Sequence, residues 1–180
     1  MRLLGRLLAG DVGGTKTLLR CVEADGTVAR EQRYESGAWQ TFDELVRDFL
    51  NGVGPIDAAC FAVAGPVLGA RARVTNLEWT IDEAALAQTF SIRRVSLIND
   101  FYAVGLGVPL LGASDLLPLQ KVPRDRTAPI AVLGAGTGLG EALIVYVDDR
   151  HHVIAGEGGH ADFAPQDEEQ ARLFQHLQRQ

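Results

Sequence analysis

Cysteine, basic charge and long apolar runs are all scarce in this 180-residue chain. The two cysteines, Cys21 and Cys60, stand far apart with no CxxC spacing, which argues against a disulfide framework or a cysteine-zinc site and suits reduced core residues. Lys and Arg number 17 against 23 Asp and Glu, a formal charge of -6, and the cations are scattered. A protein that grips a phosphate backbone needs a basic stripe to displace counterions, so nucleic acid is not expected as a partner. No apolar run approaches the roughly 18 to 20 residues that span a bilayer. The opening MRLLGRLLAGDVGG also lacks the apolar length and A-x-A site of a signal peptide, so a soluble, cytoplasmic protein with no membrane partner is expected.

What is present is an ordinary globular composition, 47% hydrophobic and 22% charged, enough to fill one domain or one and a fraction. Arg6 to Ala9 reads as an apolar strand, GDVGGTKT at 10–17 as a glycine turn, and Leu18 to Glu23 as the returning strand. Thr27 to Tyr34 follows the Ala24-Asp25-Gly26 turn as a third strand, an antiparallel meander unlike the strand-helix-strand start of a dinucleotide fold. Thr41 to Leu50 sets Phe42, Leu45, Val46, Phe49 and Leu50 at helical spacing behind a Thr41 cap. That helix crosses over to Ile56–Ala64, an apolar run suited to a buried parallel strand. An irregular stretch is expected over Val67–Trp79, a helix over Thr80–Phe90, a strand at Arg94–Ile98 and a helix over Phe101–Leu111.

Pro118 to Pro129 has three prolines and four charged residues and reads as an exposed connection. We place a first lobe over 1–115 and the beginning of a second over 116–180. The second repeats the opening pattern: Ile130–Leu133, the glycine cluster at 134–140, then Ala142–Val147. A helix with Ala171, Leu173, Phe174 and Leu177 on its apolar side is expected over Gln166–Gln180.

Glycine turns bring backbone N–H groups close to phosphate oxygens, and a threonine hydroxyl adds a donor. Both turns qualify, and neither fits the commoner signatures. Gly10–Thr17 has Thr15 where a P-loop needs its second glycine, and Gly134–Gly140 lacks the third glycine of GxGxxG in register. Asp11, read as part of the first turn, would repel phosphate unless magnesium and its waters lay between, and Lys16 suits the same site. Asn99-Asp100 at a strand end offers a carboxylate base for phosphoryl transfer, or alternatively a helix N-cap. Glu157 and His160, set among glycines, offer a carboxylate and an imidazole to a polyol, with zinc as the rival reading.

The ordered motifs GDVGGTKT (10–17), AGP (64–66), VTNLEW (74–79), LINDFYAVGLGVP (97–109), LGAGTGLGEA (133–142) and GEGGHADFAP (156–165) resemble the bacterial glucokinase family, of the hexokinase and actin-like ATPase superfamily. The resemblance implies an α/β, ribonuclease H-like mixed sheet with flanking helices. It also implies ATP-dependent phosphorylation of glucose to glucose 6-phosphate at the start of glycolysis. ATP would lie between a first turn built from Asp11, Gly13, Gly14, Thr15 and Lys16 and a second built from Gly136, Thr137 and Gly138, with magnesium held at Asp11 through water. Asp100 would be the base for the 6-hydroxyl, with Asn76, Asn99, Glu157 and His160 along the sugar. The zinc-binding cysteine cluster of the related repressors and sugar kinases is not found in these residues. Family members exceed this length, so the resemblance implies an incomplete second lobe with exposed apolar faces at Leu143, Val145 and Phe174. Two alternatives accompany it, a non-catalytic sugar-binding fragment or one half of a split kinase, and the partner would be a second copy or a missing C-terminal half.

Overall fold

The computed structural model describes residues 5–74, 76–120, 122–123, 125, 127–136 and 138–179. They form two compact units, Met1–Arg124 and Asp125–Gln180. The first opens with β1 (Leu7–Val12), β2 (Lys16–Val22) and β3 (Val28–Glu35), an antiparallel meander. Helix α1 (Phe42–Leu50) then crosses to β4 (Ala58–Val63), which pairs with β1 in parallel. Next come β5 (Val67–Leu68), β6 (Arg71–Arg73) and β7 (Thr80–Asp82), then α2 (Glu83–Phe90), β8 (Arg94–Asn99) and α3 (Asp100–Gly107). β8 adds in parallel to β4, giving a mixed five-stranded sheet in the order β3-β2-β1-β4-β8.

One face of that sheet packs under α1. Alternate strand residues Leu8, Val12, Leu19, Phe61, Val63 and Leu97 are buried together with Phe42, Leu45, Val46 and Phe49, the stripe that recurs at helical spacing. Gly10 lies in β1 because Phe61 occupies its side-chain space: an added Cβ would stand 2.5 Å from a ring carbon. Thr41 caps α1 in a capping box, accepting from Glu44 N–H while the Glu44 carboxylate accepts from Thr41 N–H. Thr41→Ala is expected to cost about 1 kcal/mol, read as a shift of the urea midpoint at constant slope.

Four sequence expectations change here. The stretch read as irregular contributes β5 and β6 to a small antiparallel sheet, β5-β6-β7, whose strands of two or three residues are too short to show periodicity. Thr80–Asp82 belongs to it as a strand, so the following helix starts only at Glu83, capped by Asp82. Cys21 is buried as expected, but Cys60 is exposed, because β4 alternates and turns Cys60 away from α1 while Ala59 and Phe61 point inward. Helix α3 also ends earlier than expected, at Gly107, and passes into a single 3-10 turn at Val108–Leu110.

The second unit is an antiparallel meander of β9 (Ile130–Ala135), β10 (Leu139–Val147) and β11 (Arg150–Gly156), in the order β11-β10-β9, followed by α4 (Glu168–Leu177). β11 has no counterpart in the sequence reading. Its residues RHHVIAG carry too few apolar side chains to announce a strand, and its turn uses Asp148 and Asp149, both at positive φ, where glycine or asparagine is the usual signal. Ala142 and Ile144 are buried, Leu143 is exposed, and Val145 and Phe174 are half-buried.

Candidate active site

In the first unit the carboxyl ends of three adjacent parallel strands bring the candidate groups together. Val12, Val63 and Asn99 lie in one register row across β1, β4 and β8, so Asp11 and Asp100 fall on either side of that row. Open α/β sheets bind ligands at this edge. Contrary to the sequence expectation, Asp11 lies within β1 and not in the turn, since its backbone pairs with Leu18 on one side and Ala62 on the other. The turn itself is confined to Gly13, Gly14 and Thr15, and Lys16 opens β2 opposite Glu35.

This turn is braced from below. Gly13 N–H donates to the Lys16 carbonyl at 3.0 Å, and Ser36 N–H donates to the Thr15 carbonyl at 2.9 Å. The buried Ser36 hydroxyl donates to the Gly13 carbonyl at 2.7 Å and lies 2.9 Å from the buried Thr17 hydroxyl. Sequence reasoning missed both hydroxyls, because a buried serine is recognisable only once its partner, remote in sequence, is known. Ser36→Ala would strand the Thr17 hydroxyl and one carbonyl hydrogen bond. We expect a loss of about 1–3 kcal/mol in stability, measured by urea melting.

At the other end of the row, the helix cap falls on Asn99. Its side chain accepts from Tyr102 N–H at 3.1 Å and caps α3, so the cap does not depend on Asp100, the first helical residue. The Asp100 carboxylate accepts from Phe101 N–H at 2.9 Å. The Asp11 carboxyl titrates above the ordinary carboxylate range, first because surrounding protein displaces water from it and next because Asp100 is near, with Arg33 opposing both. A raised native value means that Asp11 costs stability once ionised, fully above its native pKa and not at all below its unfolded one. Asp11→Asn is therefore expected to melt higher than the parent at neutral pH, the gap closing as pH falls through that window.

Asn76 sits at φ 65°, a left-handed conformation that asparagine tolerates. With Pro66, Arg73, Val74, Leu77 and Glu78 it lines a cavity of about 410 Å³. In the second unit Gly136 N–H donates to the Gly138 carbonyl at 2.9 Å, closing the tight link from β9 to β10. Thr137, expected in that turn, lies outside the described residues. Glu157 follows β11, and a 3-10 turn over Gly158–His160 brings His160 Nδ1 to 3.2 Å from the Glu157 carboxylate, both side chains exposed.

The sequence pattern of the glucokinase family matches residues 8–180, nearly the whole chain. The chain belongs to the glucokinase family. A glucokinase of Nostoc sp. is 46% identical over 178 residues, covering 95% of this chain and 52% of that protein. The Synechocystis glucokinase is 42% identical over 188 residues, covering 96% and 53%. This chain thus spans about half the length of the curated glucokinases it matches. The crystal structure of a glucokinase from an Antarctic psychrotroph superposes with a TM-score of 0.80 at 27% identity, covering 98% of this chain and 57% of that one. A glucokinase of the ROK family from Streptomyces griseus, in complex with glucose and AMPPNP, superposes at 0.58 with 20% identity over 82% of this chain and 46% of its own, a likeness of fold alone. The fold is that of the actin-like ATPases, a mixed α/β sheet with flanking helices, as the motif resemblance implied.

Proposed function

We propose that this chain carries the catalytic carboxylate and both phosphate-binding turns of an ATP-dependent glucokinase, forming glucose 6-phosphate in the cytoplasm at the start of glycolysis. The observation that carries the reading is Asp100, placed beside Asp11 at the carboxyl edge of the sheet while Asn99 takes over the helix cap. Asp100 accepts the proton of the glucose 6-hydroxyl as that oxygen attacks the γ-phosphorus and the bond from that phosphorus to the bridging oxygen breaks, with ADP leaving. Asn76 and Asn99 in the first unit, and Glu157 and His160 in the second, each offer fixed donors and acceptors of the kind a polyol needs. Gly13 N–H and Gly136 N–H are spent within the turns, so the turns at Gly13–Thr15 and Gly136–Gly138 offer their other backbone N–H groups to phosphate oxygens, with Thr137 and Lys16 adding a hydroxyl and a positive charge.

The donor set suits magnesium. Asp11 supplies a hard carboxylate oxygen whose ionisation the protein alone disfavours, so a nearby cation, reached through water, relieves that cost. When bound, magnesium supplies neutralisation of charge on the phosphates. Asp11 would hold that ion through its waters, and Asp100 would exchange a proton with the sugar alone.

The test is ADP release from magnesium-ATP with and without glucose, using the 180-residue chain and its Asp100→Ala variant. Glucose-dependent release that disappears in the variant supports the reading. Glucose binding without release, with or without an added C-terminal half of a matched relative, would leave a sugar-binding module instead.

A further inference from the structure

The turn bearing Glu157 and His160 lies closer to β10 than any side chain permits. A Cβ on Gly159 would stand 1.9 Å from the Leu139 carbonyl oxygen, and one on Gly158 would stand 2.2 Å from a Glu141 carboxylate oxygen. Leu139 is the first residue of β10, directly after Gly136–Gly138. Glu141 pairs across the ladder with Gly156, the last residue of β11 before Glu157. The strand that leaves the second glycine turn is therefore the floor on which the Glu157–His160 turn rests, all within the second unit. Backbone meeting backbone at Gly159 leaves no slack, because neither group can rotate aside as a side chain would. At Gly158 the contact is different in kind: the nearest group is the end of the flexible Glu141 side chain, whose carboxylate lies against the turn.

We propose that Glu141 is a positioning residue, and that its contact with Gly158, together with Gly159 seated on Leu139, couples occupancy of the Glu157–His160 turn to occupancy of the Gly136–Gly138 turn. The proposal rests on the glucokinase reading for the identity of the two ligands, sugar at one turn and nucleotide phosphate at the other. Coupling between sites is reciprocal, so each ligand tightens the other by the same factor.

The experiment is glucose titration of the full chain with and without magnesium-AMPPNP, in the parent and in Glu141→Ala and Glu141→Gln. The parent is expected to bind glucose at least about fivefold more tightly with the nucleotide present. Glu141→Ala is expected to reduce that factor below about twofold, and Glu141→Gln, which keeps the volume and one oxygen, to restore most of it. In the parent alone, magnesium-AMPPNP without sugar is expected to shift the Gly158 and Gly159 amide resonances, a result that does not depend on any variant folding. Unshifted amides, or an unchanged factor in a folded Glu141→Ala, would overturn the coupling and leave the kinase reading intact. A parent that binds neither ligand would overturn both.

Discussion

Replacing Asp100 by asparagine is expected to lower kcat for glucose phosphorylation by about 10²- to 10⁴-fold, with KM for glucose changed far less. Asparagine matches aspartate in shape and still offers an oxygen to a hydroxyl, but it cannot take up the proton that the attacking 6-hydroxyl must lose. Helix α3 should be untouched, because Asn99 and not Asp100 holds its N-cap bond to Tyr102. A second consequence is independent of turnover. Asp100 raises the Asp11 pKa, so its neutralisation should let Asp11 titrate lower than in the parent, which carboxyl-carbon NMR can follow. A kcat reduced less than about tenfold would remove Asp100 as the base. An unmoved Asp11 titration would mean the two carboxylates do not sense each other.

Phe61→Ala is expected to cost about 3–5 kcal/mol of stability, a large part of the total for a domain whose native state is favoured by roughly 5–15 kcal/mol. Phe61 is 1% exposed and stands edge-on to Phe42 with ring centroids 5.0 Å apart, where α1 meets the sheet. Its ring also fills the space that Gly10 leaves open in β1. Removing it opens a hole bounded by a strand on each side and a helix above, none of which can collapse without breaking the β1–β4 pairing. Because the β1–β4 and β4–β8 pairings together fix the strand ends bearing Asp11 and Asn99, loss of the proposed ligand affinities should accompany the fall in melting temperature. Phe61→Leu, which keeps most of the volume, should lose under half as much. Urea and thermal melts of the two variants decide the matter, and equal losses would mean that the site collapses freely.

Much of this arrangement could be read along the chain. The stripe of Phe42, Leu45, Val46 and Phe49 announces α1, and apolar alternation with glycine breaks announces the meander and its crossover strand. Asp11, Asn99, Asp100, Glu157 and His160 stood out because polar residues interrupt apolar strands or sit among glycines. Short strands such as β5 and β6 left no such trace, and β11 was hidden by its histidines and by an Asp-Asp turn.

Local propensity and periodicity are properties of neighbouring residues, so the sequence by itself determined the longer elements, the two glycine turns and the candidate acid groups. Which groups meet is a property of strand register, and register is set by how the whole core packs. Only the tertiary structure therefore put Asp11 on a strand beside Asp100, moved the α3 cap to Asn99, turned Cys60 outward and set Ser36 beneath the first turn. The same holds for Glu141. In sequence it is one charged residue after a glycine cluster, and only the pairing of β10 with β11 brings its carboxylate against Gly158.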